Sequence, residues 1–452
     1  MHIKPPPATR RALLLGGLAA AAPLFFGAGQ APAREAGALD AAKLGVKPGK
    51  GDASAALGEA LKRAAKAGRP LALPAGDYRI GGVSVPSGTQ LRAAGKVRLL
   101  ATKSGPLLLL EGAEDVVIED MVLDGDEQAM GADEALVVAR GSQLALRRCT
   151  LLRAGGNGVM LTGCAGALSG NRVQDARQAA IFAEDSRGLS ITGNVVRECG
   201  NNGILVWRSE SGDDGTLVQG NRIEDIRAEA GGSGQNGNAI NVFRAGGVVV
   251  ANNVARRCAF SGVRANSTAD VQILGNSIRD MGETAIFVEF AYDGAVVANN
   301  LIDKAATGIS MTNLNEGGHL ASCTGNVVRN LFRRPDPETG VETYGVGIAA
   351  EADVAVSSNV VENAPFAGLY LGYGAYLRNI AASGNILRDC GYGIAVSVAQ
   401  GAGSVVLSGN LISGAKKAAI VGLEWDKAVT GDLAQGDTPP KPNIKLNSNT
   451  VL

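Results

Sequence analysis

The chain has 452 residues, of which 63 are Gly, 4% are aromatic and 19% are charged. An apolar content of 46% with so few charges excludes intrinsic disorder, and 43 basic against 43 acidic residues excludes the basic surface of a nucleic-acid binder. Frequent Gly with few aromatics suits many short strands joined by tight corners, and a repeat protein can reach this length by adding turns.

Residues 1–33 read as a signal peptide. Lys4 and Thr9-Arg10-Arg11 make a basic start, residues 12–22 are apolar, and Ala31-Pro32-Ala33 supplies an A-x-A cleavage site. The run 9–15 resembles the twin-arginine consensus, with Leu where Phe is common. This implies a periplasmic or secreted protein, with the twin-arginine translocase as a transient partner and export in the folded state. That route permits a cofactor without requiring one, and the sequence identifies none. Removing the segment leaves 40 basic residues against 43 acidic. No later apolar run approaches the ~18 residues of a membrane span, so the mature chain is expected to have no integral span.

Residues 34–70 are expected to form an N-terminal cap with one helix over residues 52–68. Asp52 is placed to cap it, Leu57, Leu61 and Ala64 share a face, and Gly68 can follow its end. The helix would cover the open edge of the first coil. Strands are expected at residues 71–74, 97–100 and 116–124.

From residue 71 to residue 452 the chain reads as one repeating domain. Asn171, Asn194, Asn221, Asn253, Asn276, Asn300, Asn326, Asn359, Asn385 and Asn410 recur at spacings of 23 to 33, each leading into an aliphatic stretch. A Gly or Ala followed by an aliphatic residue and alternation recurs in step, as at Gly203-Ile204, Ala239-Ile240, Ala285-Ile286 and Gly308-Ile309. Two or three short strands per period predict an all-β fold: a single-stranded right-handed parallel β-helix, a solenoid of about 12–14 coils spaced ~4.8 Å apart, with a short N-terminal capping helix. The Asn column then forms an amide ladder along the stack, joined by Cys149, which lies 22 residues before Asn171. Residues 444–451 read as a last partial coil.

Cys199, Cys258 and Cys390 each fall five residues after a ladder Asn, where other coils carry Ala or aliphatic residues, so they are expected to be buried free thiols. Cys149, Cys164 and Cys323 are not placed by this argument. With the signal peptide removed His319 is the one histidine, and no C-x-x-C occurs, so no metal site is expected. The acidic cluster Asp124-Gly125-Asp126-Glu127 reads as a β-helix corner in preference to a calcium site.

Gly45-Val46-Lys47-Pro48-Gly49 through Leu73-Pro74-Ala75-Gly76-Asp77-Tyr78 resembles the N-terminal cap of pectate-lyase-like proteins, and the Asn and Gly-Ile repeats resemble that superfamily over residues 45–425. With the arginine pair, the chain resembles a bacterial family of twin-arginine-translocated β-helix repeat proteins that has no established activity. The resemblance implies a right-handed β-helix and, often, action on acidic polysaccharides. The catalytic signatures of better-known relatives do not carry over. Asp336-Pro337 is followed by Glu338 where mannuronan epimerases have His. Asp213-Asp214 stands without the other polygalacturonase elements.

Taking the residue after Gly or Ala as inward, the Gly-Ile strands present two outward columns. One runs Met160, Phe182, Leu205, Asn241, Arg264, Phe287, Ser310, Ala349, Tyr370. The other runs Thr162, Glu184, Trp207, Phe243, Asn266, Glu289, Thr312, Glu351. Phe182, Trp207, Phe243, Phe287 and Tyr370 make an aromatic strip on which sugar rings can stack, with Asn266 and Thr312 as polar neighbours. The longest insertions, residues 227–238 and 332–344, leave one corner four coils apart and are expected to wall a groove between them. Its floor holds Glu289 beside Arg264, the expected catalytic pair, a carboxylate and a guanidinium able to act as base, acid or uronate clamp. Glu184 and Glu351 lie more than ~13 Å from Glu289 along the axis, too far for a paired-carboxylate hydrolase. The expected partner is a polysaccharide and the expected activity of lyase or epimerase type. The alternative is a non-catalytic solenoid that binds polysaccharide or envelope.

Overall fold

Alternating inward aliphatic and outward polar residues give each coil three short strands. One precedes the ladder Asn, one follows it, and the third carries the Gly-Ile signature. Ala165–Ser169, Arg172–Gln174 and Ala179–Glu184 form one such coil. The computed structural model describes residues 37–131, 134–232, 234–335, 342–436 and 441–452. Within it each of these strands pairs in parallel with its counterpart one coil on. About 15 turns stack into a right-handed parallel β-helix, slightly more than the repeat count implied. The Gly-Ile strands make a 15-stranded sheet, whose last member, Lys427–Ala428, folds back antiparallel on Ala418–Glu424. The signal peptide and its cleavage site lie outside the described residues, as does Asp336-Pro337-Glu338. No helix among the described residues is long and apolar enough to cross a membrane.

The register follows the apolar alternation. Ile204, Val206, Ile240, Val242, Ile286 and Val288 are fully buried in a continuous core. The outward columns pair as the alternation predicts: Met160 with Phe182, Asn241 with Arg264, Arg264 with Phe287, Trp207 with Phe243 and Asn266 with Glu289. A slip of one residue would exchange the faces, exposing the aliphatic set to water.

The ladder is complete from Asn171 to Asn449 and buried as far as Asn410. Asn276 is typical: its Nδ2 donates to the Val250 carbonyl and to Asn300 Oδ1, both at 3.0 Å, and its backbone N donates to the same Oδ1 at 2.9 Å. Its own Oδ1 in turn accepts from the backbone N and Nδ2 of Asn253. Cys149 takes the place of an Asn at the head of the column, its backbone N donating to Asn171 Oδ1. All six cysteines are free and buried. Burial pushes the thiols of Cys149, Cys199, Cys258 and Cys323 up to about 12 and that of Cys390 up to about 11.

The helix spans Ser54–Lys66 and buries Leu57, Ala60, Leu61 and Ala64. It starts two residues later than expected, with Ala53 in place of Asp52 at the N-cap; Asp52 accepts from the backbone N and hydroxyl of Ser54 just ahead of the first turn. Gly68, in the left-handed region, follows its end. At the acidic corner, Asp124 is fully buried and accepts from Arg98 and Arg153. These contacts make it a charge-neutralised corner.

Asn276→Ala should lower stability by about 3 kcal/mol in urea melts, because it leaves the buried backbone N of Asn253 and the Val250 carbonyl without partners. A thiol reagent should find no reactive cysteine in the native protein near neutral pH and all six after denaturation.

Candidate functional site

Arg264 and Glu289 project from adjacent coils of the Gly-Ile sheet on the strands Val263–Asn266 and Thr284–Glu289. They form a two-pronged ion pair, Nε to Oε1 at 2.6 Å and Nη2 to Oε2 at 2.9 Å. Asn266 Nδ2 adds a third donor to Oε1 at 3.0 Å. The sequence places the pair within reach of each other. Burial is what it does not reveal: Glu289 is only 2% exposed and Arg264 8%.

The cover has two sources. The Arg264 guanidinium lies 5.1 Å from the centroid of the Phe287 ring. On its other side the first insertion passes so close that a methyl group at Gly234 would collide with the guanidinium. Gly234 adopts a left-handed backbone, so both the conformation and the contact require glycine there. Arg264 Nη1 has no hydrogen-bond partner and stands 3.9 Å from Glu283 Oε2, which is also without one. Burial raises the Glu283 carboxyl above the ordinary range, against the opposing pull of Arg264 and Arg334.

The two insertions do not stand apart as walls of one groove. The second begins as a hairpin, Arg333–Pro335 against Glu342–Tyr344, and leans back along the solenoid. Arg334 donates to the Gly282 carbonyl at 2.7 Å and lies over the Phe260 ring. Phe260 also abuts Gly237 of the first insertion. The insertions therefore converge on Phe260, held together by a ring and a guanidinium.

What opens to solvent is a cleft of ≈410 Å³ on the N-terminal side of this junction. Trp207, Phe243 and Phe290 supply its rings, Asn241, Asn266 and Arg264 its polar floor, and Gly234 and Gln235 one rim. Trp207 meets Phe182 and Phe243 edge-on, with centroids 5.2 and 5.7 Å apart, so the strip is a row of tilted rings and not one flat shelf. Four of the residues expected in the site, Trp207, Phe243, Arg264 and Asn266, line this cleft. Phe182 braces Trp207 from behind, Phe287 lies against Arg264, and Glu289 fixes the floor from below. Thr312 bonds Ser310 two coils beyond Asn266, and Tyr370 belongs to a separate cluster with Phe366 and Tyr373.

Phe290 is the ring of the cleft that sequence reasoning missed. It is 40% exposed and held in the left-handed region at φ 56°, with its backbone N bonded to Asn313 Oδ1. A bulky side chain in that region is strained. Its only trace in the sequence is an aromatic directly after a strand, where neighbouring coils carry polar residues. Among the described residues no cluster of three or more His, Cys, Asp or Glu is arranged to hold a metal.

Removing one partner of the buried pair leaves an uncompensated charge. Arg264→Ala or Glu289→Ala should each cost about 3–5 kcal/mol, whereas Arg264→Met combined with Glu289→Leu should melt close to wild type. Thermal denaturation of the three variants decides this.

No curated protein matches the chain in sequence. Among solved structures, the N-terminal fragment of bacteriophage phi29 gene product 12 is similar at 15% identity and a TM-score of 0.60, over 92% of this chain and 70% of its own. The catalytic unit of an α-1,3-glucanase from Streptomyces thermodiastaticus strain HF3-3 is similar at 15% identity and a TM-score of 0.48, over 93% and 70%. An Azotobacter vinelandii mannuronan C-5 epimerase A-module is similar at 16% identity and a TM-score of 0.37, over 91% and 99%. At these identities the likeness is one of fold. The family described as the right handed beta helix region matches residues 124–223 and 209–379, more than half of the sequence, and the chain belongs to that family.

Proposed function

We propose that this protein is exported by the twin-arginine route and binds a cell-envelope or extracellular polysaccharide on the outer surface of its Gly-Ile sheet. The observation that carries the reading is the cleft itself. Three aromatic rings accompany three side-chain amides and a guanidinium. This is the pairing a pyranose needs, with apolar C–H faces against rings and hydroxyls against amides. The floor is preorganised, because Glu289 and Asn266 hold Arg264 in one orientation before any ligand arrives, which limits the ordering cost of binding. The arginine pair and A-x-A site of residues 9–33 support the route. Together with the repeats they support placement in the twin-arginine-translocated β-helix family.

The geometry favours binding over turnover at Glu289. Both of its oxygens are engaged by three donors, and the group is closed to solvent. A lyase- or epimerase-type activity is the second reading. Glu283, rather than Glu289, is the observation in its favour, being a carboxyl with a raised proton affinity and an oxygen without a hydrogen-bond partner.

A glycan array with product analysis on the mature protein tests both readings. Binding without product is expected, weakened at least tenfold by Trp207→Ala or Phe290→Ala at unchanged melting temperature. No binding to any glycan rules out the first reading. Product release that is lost in Glu283→Gln establishes the second. For the export route, Arg10→Lys with Arg11→Lys should retain the precursor in the cytoplasm on cell fractionation.

A further inference from the structure

A second aromatic platform stands on the same face toward the C-terminal end. Trp425 occupies the turn between Ala418–Glu424 and Lys427–Ala428 and is 50% exposed. Its ring lies against Gly374, where a methyl group would collide with it. Tyr373, 38% exposed, meets it edge-on with centroids 5.0 Å apart. The Tyr373 hydroxyl donates to Asp426 Oδ2 at 3.3 Å, which sets a polar edge beside the rings. Tyr370, in the outward column, joins the group 6.5 Å from Tyr373.

Two observations tie this platform to the cleft. Among the described residues, Phe290 and Trp425 are the aromatic residues with a left-handed backbone, both at φ 56°. Each follows the end of a Gly-Ile strand, so both project from the same edge of the sheet. A left-handed backbone is unfavourable for a residue with a large side chain. The turn after the Gly-Ile strand takes this conformation in neighbouring coils as well, at Asp185, Arg244, Ser267 and Asn313, so the fold itself aims the Phe290 ring off this edge. The outward column between them runs through Ser310, Ala349, Tyr370 and Ala395.

We propose that Trp425, Tyr373 and Asp426 form a second saccharide subsite, and that the ligand is an extended polysaccharide lying along the solenoid axis and contacting both platforms. The inference rests on the polysaccharide reading of the cleft and adds to it the length and direction of the ligand. Eight register steps separate the strand of Trp207 from the strand leading to Trp425. At strand spacing this is ~38 Å, a span that only a chain of many sugar units covers. Short oligosaccharides would fill one platform and gain nothing from the other, whereas a polymer gains from both at high effective concentration.

Affinity electrophoresis of the mature protein in native gels containing alginate, polygalacturonate or mixed-linkage β-glucan tests this. In the gel that retards wild type, Trp425→Ala and Trp207→Ala should each weaken retardation at least fivefold, with melting temperature unchanged. A disaccharide or trisaccharide from the same polymer should compete poorly. Asp426→Ala, at the rim, should weaken retardation in the same gel and keeps the test decisive if Trp425→Ala melts early. Retardation that is lost in Trp207→Ala but intact in Trp425→Ala and Asp426→Ala overturns the second subsite and leaves the cleft standing. Wild-type protein that runs freely in all three gels overturns both.

Discussion

From Asn171 onward, each coil of this protein depends on one amide at its corner. A primary amide has two donors and a strong acceptor, and the ladder Asn uses them to satisfy backbone groups at a corner where neither strand can. It donates to a carbonyl of the preceding coil and to the next Asn, and accepts from the Asn before. Repeated from Asn171 to Asn449, this fixes the corner of each coil directly above that of its neighbour. The strands on either side are then set in register, and so are the outward columns. A surface that binds along its length requires that regularity. A corner that slipped by one residue would turn the aromatic residues inward and the aliphatic core outward.

Features that repeat were legible in the sequence for this reason. The Asn column, the apolar Cys positions and both outward columns follow from period and alternation, and Arg264 and Glu289 could be placed on adjacent coils by counting. Features that depend on the path of a single loop were not. Nothing periodic marks Gly234 as the residue that packs on Arg264, or Arg334 as the one that reaches Gly282. Phe290 and Trp425 escaped for a related reason. Both lie one residue beyond a strand in a backbone conformation that aromatic residues rarely adopt. A reading based on propensity treats such positions as loop and assigns them no direction.

The Arg264–Glu289 pair shows how burial alters a role assigned from residue type. A carboxylate beside a guanidinium on an exposed sheet is a reasonable proton-transfer group. The same pair under a loop, with an amide as third donor, has both carboxylate oxygens engaged and presents a fixed guanidinium edge to the cleft. The pair is held in one orientation. The neighbouring Glu283 has the opposite properties, a raised proton affinity and an oxygen without a hydrogen-bond partner, although its position at the start of the strand gave it no prominence in the sequence.

The leaning hairpin also bears on how the rod comes apart. In a pure solenoid each coil touches only its neighbours, so mechanical tension at one end peels coils singly and at a nearly constant force. The bond from Arg334 to the Gly282 carbonyl breaks that rule by fastening a coil to one that is not adjacent to it. Peeling from the C-terminus would advance evenly until it met this fastening, then stall, because several turns must release together. The stall falls just short of the cleft, so the ligand-facing coils would keep their spacing while the distal end of the rod frayed under load.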